Sequence, residues 1–228
     1  MHGLAQILLL FPRLSQERRN LRVQVWASAM LARLGVELQV IGTPPANGPV
    51  LLVANHISWL DILVMHAARH CRFVSKSDVK HWPLVGTLAT GAGTLYIERA
   101  SRRDAMRVVH RMAQALKDGD ILAVFPEGTT GDGKALLPFH ANLIQAAISA
   151  HAPIQPVALQ FLDGLTGKQS QAMSYIGDES LGGSVWRTLC ARRVRAVVTF
   201  GATQQADGRD RRAWAKDLHA VVARMLYP

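Results

Sequence analysis

The chain has 228 residues, 49% of them hydrophobic, enough to bury one α/β core and to exclude general disorder. A formal net charge of +10 calls for an anionic partner: nucleic acid, an anionic membrane face or a phosphorylated substrate. Aromatic residues are 6% and no basic run interleaves with stacking residues, which argues against a single-stranded nucleic-acid binder.

Gly3 to Phe11 is apolar but too short to span a bilayer, and no stretch offers enough consecutive apolar residues for a transmembrane helix. It also lacks the basic flank and small-residue cleavage site of a signal peptide. It reads as an interfacial anchor or as the end of a membrane helix. From Gln16 to Leu34 the pattern is helical, with Val23, Trp26, Met30 and Leu34 on one side and Arg13, Arg18, Arg19 and Arg22 at its entrance. Gly35 stops it. This helix either lies on a membrane or packs on the domain with its charges solvated. Residues 1–35 are thus expected as an N-terminal helical, membrane-associating segment, and 36–228 as the α/β domain.

Val36–Val40 alternates as a half-buried strand, and Val50–Ala54 is an apolar run expected as a buried strand. A helix from Ser58 to about Arg69 follows, then a strand at Arg72–Ser75, a helical stretch over 78–92 broken by Pro83, and a strand at Thr94–Ile97. Ser101 with Asp104 forms a capping box for a helix that Gly119 closes. Ile121–Phe125 is a buried strand running into Pro126–Gly133, with a helix expected at Phe139–Ala150 and a strand at Ile154–Phe161. A strand near Ser174–Ile176, a helix near 181–190, a strand at Arg195–Phe200 and a helix at Asp210–Leu226 complete the pattern. Alternating strands and helices predict a mixed, mostly parallel sheet flanked by helices.

Ligands of such sheets collect outside the carboxyl ends of the strands. Four of those ends are polar: Asn55-His56, Lys76, Glu98-Arg99 and Glu127-Gly128-Thr129. If Ser58 caps the helix, Asp61 lies in its first turn and can fix the tautomer of His56, leaving the other ring nitrogen as a base. Asp61 alone is equally an ordinary half of a capping box. Arg99, at a strand end, suits a phosphate clamp, whereas a lone lysine in the same setting, Lys76, is more often a surface residue.

There is no Gly-x-Ser-x-Gly elbow, and neither Cys71 nor Cys190 has a histidine placed by sequence, so a base acting on an incoming hydroxyl is favoured over a covalent nucleophile. The histidines and cysteines form no zinc pattern, and no cofactor is implied. Gly128 to Lys134 fits Gly-x-x-x-x-Gly-Lys, but Ala135 stands where a P-loop needs Ser or Thr.

Taken in order, these motifs resemble the glycerolipid acyltransferases that include 1-acylglycerol-3-phosphate acyltransferases. The His-x4-Asp block is His56 to Asp61, the second block Gly93 to Arg99, the third Phe125-Pro126-Glu127-Gly128-Thr129 and the fourth Pro153 to Leu159. The resemblance covers roughly residues 36 to 161. It implies that His56 is the general base, oriented by Asp61, and that Arg99 holds the acceptor phosphate with Lys76 nearby. Glu127, Gly128 and Thr129 would shape the acceptor site.

The implied donor is acyl-CoA or acyl-carrier protein, and the implied acceptor a lysolipid, foremost 1-acylglycerol-3-phosphate. The implied place is the cytoplasmic face of the inner membrane, against an anionic surface and with no nucleic acid. One departure stands out: the family usually has arginine after Phe-Pro-Glu-Gly-Thr, and this chain has Thr130. That variant looks like the lyso-ornithine lipid acyltransferase branch. From other classes, a non-catalytic basic membrane-binding protein and a nucleotide-binding protein are the competing readings.

Overall fold

β2 (Val50–Ala54) is apolar at every position because both of its faces are covered, as parallel central strands require. It sits in the middle of a seven-stranded sheet with β1 (Val36–Ile41), β3 (Arg72–Lys76), β4 (Leu95–Ile97), β5 (Ile121–Val124), β6 (Ile154–Asp163) and β7 (Val194–Phe200). The spatial order is β1-β7-β6-β2-β5-β3-β4. All neighbouring pairs are parallel except β6 and β7, so β1 and β7 run against the other five. The computed structural model describes residues 2–97, 102–191 and 193–227.

The alternation within β2 divides the core. Leu52 and Ala54 face a layer built by α2 (Gln16–Arg33) and α3 (Leu60–Ala68), through Ala27, Leu31, Leu60, Val64 and Met65. Leu51 and Val53 face the other layer, formed by α5 (Arg102–Lys117), α6 (Ile144–Ala150) and α8 (Arg211–Leu226), through Met112, Leu116, Ile144, Trp214 and Leu218. The remaining α-helices among the described residues are α1 (His2–Ala5), α4 (Val85–Gly91) and α7 (Leu181–Cys190). The fold is the expected α/β sheet with helices on both faces.

α2 ends where expected, with Gly35 at φ +71° after Leu34. Its apolar stripe turns inward onto α3: Val23, Ala27 and Leu31 are buried and Trp26 packs against the core. The exposed apolar residues of this region are instead Leu8, Leu9 and Leu10, in a π-helical turn, and Leu21 and Val25 on α2. Ser101, expected to open α5, lies outside the described residues; Gly119, at φ +90°, closes that helix as expected.

Two elements differ from the sequence expectation. Ser174–Ile176 is not a strand, since the Tyr175 N–H donates to Ile57 O at 3.0 Å and Arg187 binds Ser174 O, leaving no ladder to join. The helix expected from Phe139 begins only at Ile144, because the His140 N–H is drawn back to Pro126 O at 2.8 Å.

Candidate active site

At the carboxyl end of β2 the chain leaves the sheet through Asn55, whose amide acts as a second strand rung. Its Nδ2 donates to Leu159 O at 3.0 Å and its Oδ1 accepts from Leu159 N–H at 2.7 Å. This double bond to β6 fixes the next residue, His56. The His56 backbone N–H donates to Glu127 Oε1 at 2.7 Å, and the His56 carbonyl accepts from Gly131 N–H at 2.8 Å.

The ring of His56 lies flat on Phe125, with centroids 3.9 Å apart and planes 6° from parallel. Its Nδ1 is 2.8 Å from Asp61 Oδ2. That same oxygen accepts the N–H groups of Ile57 at 2.7 Å and Ser58 at 2.9 Å. An oxygen already receiving two backbone donors can only accept from the ring, so Nδ1 carries a proton, and in the neutral ring the lone pair is at Nε2. The His56 side chain is 20% exposed and Asp61 is fully buried. An imidazole so held can take a proton at Nε2.

Ser58 is not the N-cap. α3 opens one residue later, Trp59 occupies the cap position, and Ser58 Oγ accepts from Leu60 N–H at 3.2 Å. Asp61 still reaches back to the Ser58 amide, so half of the anticipated capping box is present.

Glu127 is placed differently from its neighbours. Its carboxylate turns inward, taking His56 N–H on Oε1 and Leu137 N–H on Oε2 at 2.8 Å. Burial pushes this carboxyl above the usual range, and the two amide bonds oppose that shift only in part. Gly128 and Thr129 are exposed at the tip of the turn. Gly128 adopts φ +73°, and a Cβ there would also press His140 Cδ2 at 3.2 Å.

The loop does not form a phosphate cradle. The N–H groups of Gly128, Gly131 and Lys134 are taken by Phe125 O, His56 O and Asp132 Oδ1, and no helix opens directly after Lys134, the next being α6 at Ile144. The nucleotide-binding reading falls on this geometry. Thr130 is bound inward as well, its hydroxyl donating to Tyr175 O. Lys76 is exposed at the end of β3, opposite Ile97 in the ladder. Arg99 and Glu98 lie outside the described residues; Ile97, just before them, ends β4 on the same edge of the sheet as Lys76.

Sequence reasoning assigned no role to Asn55 or Phe125. An asparagine closing an apolar strand, and a phenylalanine closing the neighbouring one, were the available signals. The residues 169–175 were missed altogether as part of the site. Gln171 Nε2 binds Asp132 O at 3.1 Å, and Tyr175 spans the His56 and Thr130 loops.

Fold and site together define an α/β enzyme with a histidine–carboxylate pair at the carboxyl edge of its sheet. The chain belongs to the acyltransferase family, whose model matches residues 36–160. It is 37% identical over 214 residues to a 1-acyl-sn-glycerol-3-phosphate acyltransferase of Neisseria meningitidis, covering 91% of this chain and 83% of that protein. It is 36% identical over 203 residues to a lyso-ornithine lipid O-acyltransferase of Pseudomonas aeruginosa, covering 89% and 77%. Its fold matches the crystal structure of the 1-acyl-sn-glycerophosphate acyltransferase of Thermotoga maritima at a TM-score of 0.70, with 18% identity, over 99% of this chain and 86% of that one.

Proposed function

We propose that this acyltransferase moves a fatty acyl group from the thioester of acyl-CoA or acyl-carrier protein to the hydroxyl of a lysolipid. His56 Nε2 takes the hydroxyl proton as the oxygen attacks the thioester carbonyl. The tetrahedral intermediate collapses, the C–S bond breaks, and the thiolate leaves with a proton returned from His56. Asp61 holds the tautomer and balances the imidazolium. The observation that carries this reading is the 2.8 Å contact between His56 Nδ1 and an Asp61 oxygen that can only accept. Asp61 Oδ1 is buried with no partner among the described residues, a cost of about 1–3 kcal/mol that suits a group kept for orientation.

Arg99 and Lys76 are both assigned to the acceptor head group. Gly128 and Thr129 border the acceptor, and Glu127 acts from behind by positioning His56. The first acceptor proposed is 1-acylglycerol-3-phosphate, giving phosphatidic acid. Thr130 favours lyso-ornithine lipid as the second, since a hydroxyl engaged with Tyr175 O adds no cation for a phosphate.

No helix among the described residues is long and apolar enough to cross a membrane. Residues 1–35, with Leu8, Leu9 and Leu10 exposed near Arg13, Arg18 and Arg22, form the segment proposed to meet the anionic cytoplasmic membrane face.

The test is purified protein offered both lysolipids with acyl-CoA and with acyl-carrier protein. His56→Ala should lose about 10²–10⁴-fold in kcat while folding normally. Full activity in that variant would end the proposal. Arg99→Ala should raise KM for the acceptor more than for the donor.

A further inference from the structure

α7 is inside out. Its buried positions are the polar residues Ser184 and Thr188, 0% and 1% exposed, whereas Trp186 and Leu189 are 69% and 52% exposed. Gly182, Trp186, Leu189 and Cys190 fall on one helical face, and that face carries no charge. A helix exposed to water normally shows the opposite pattern.

The helix is nonetheless firmly held. Ser184 Oγ accepts from Trp59 Nε1 at 3.0 Å, tying α7 to the start of α3 three residues from His56. Arg187 donates to Ala172 O at 2.9 Å and pairs with Glu179. Beside its carboxyl end, Gly164 N–H donates to Arg193 O at 2.6 Å, which brings up the turn bearing Leu165, 70% exposed, and exposed Lys168.

We infer that the outward face of α7 is a second membrane-docking surface, in which Trp186 and Leu189 enter the interfacial region of an anionic bilayer. Trp is the side chain that suits this depth, with an apolar ring and one polar N–H. Exposed Arg193 lies three residues beyond the end of α7, exposed Lys168 lies on the turn that Gly164 bonds to it, and the whole chain carries +10, so the charge complements anionic lipid. The inference rests on the proposed lipid acceptor. It adds a contact distinct from residues 1–35, which would deliver an acceptor still seated in the bilayer to His56.

Cys190 supplies the test, being exposed on this face while the other cysteine, Cys71, is buried. A polarity-sensitive thiol dye on Cys190 of the full chain should shift to the blue with phosphatidylcholine–phosphatidylglycerol vesicles. A Trp186→Ser/Leu189→Ser variant should bind these vesicles about tenfold more weakly. It should lose activity toward acceptor embedded in vesicles but keep it toward a short-chain, monomeric one.

A dye that stays water-like while the protein sediments with vesicles would overturn the inference, as would a shift caused by acidic acyl-carrier protein and not by vesicles. If no lysolipid is acylated, the proposed function fails, and the dye on Cys190 still decides the surface.

Discussion

Glu127 holds His56 by its backbone, not by its ring. Its Oε1 accepts the His56 N–H at 2.7 Å while its Oε2 accepts Leu137 N–H at 2.8 Å, so one carboxylate clamps the histidine loop to the turn that follows β5. Asp61 then fixes the ring of the same residue. The histidine is located by one acid and oriented by another.

A Glu127→Gln variant isolates the first of these functions. The amide keeps one acceptor and turns an NH₂ toward the other backbone donor, leaving that N–H unpaired. Removing a buried carboxylate relieves desolvation, so stability should fall only by about 1–3 kcal/mol. If His56 is the base proposed, a small misplacement of it is costlier, and kcat should fall about a hundredfold with KM for the donor little changed. Steady-state kinetics beside a thermal melt would check this; an unchanged kcat would mean that Glu127 does not position the base.

An Asp61→Asn variant tests the second. Asparagine can still accept the Ile57 and Ser58 amides through its oxygen, so the start of α3 should survive. It brings no charge to balance an imidazolium, and kcat should fall by about 10²–10⁴. Circular dichroism should be unaltered. A loss of helix equal to the loss of activity would reduce Asp61 to a capping residue.

How much of this was legible depends on the range of each interaction. The His56–Asp61 pair is five residues apart and follows an apolar strand, so spacing alone revealed it. Glu127 was found as a motif residue, yet its inward orientation was not, because its partners His56 and Leu137 lie 71 and 10 positions away. Asn55 bonds to Leu159 across 104 positions, a pairing that no local pattern encodes. The sheet followed from alternating apolar runs, but the reversal of β1 and β7 did not, since parallel and antiparallel pairs share the same apolar residues. Ser174–Ile176 misled because a β-like composition was taken up by contacts with Ile57 and Arg187.

His66 and His70 lie behind the site, joined to it through Phe73 and Phe125 by ring contacts. Burial lowers His66 from 6.5 to about 3 and His70 to about 4. Both are therefore neutral in the folded protein at pH values where the unfolded chain has already protonated them. Stability is then full above pH 6.5 and lost as pH falls toward those lowered values. Between about pH 7 and pH 5 each should contribute a loss of about 2 kcal/mol. Urea titrations at both pH values would measure it. His66→Leu should remove about half of the difference, and an undiminished difference would place the acid sensitivity elsewhere.

Thr130 is where acceptor choice should be adjustable. Its hydroxyl is bound to Tyr175 O, so the residue closes the loop against 169–175 and offers the acceptor no charge. In Thr130→Arg that bond is lost and a planar cation projects from the edge of the turn, beside exposed Thr129. A charge-assisted bond of about 1.5–3 kcal/mol should lower KM for 1-acylglycerol-3-phosphate by about tenfold or more. Lyso-ornithine lipid, whose head group sets an ammonium against its carboxylate and has no phosphate, should gain less. Competition between the two acceptors in one assay reads the ratio directly. A ratio left at the parent value would show that position 130 does not meet the head group, and the burden of selectivity would pass to Arg99.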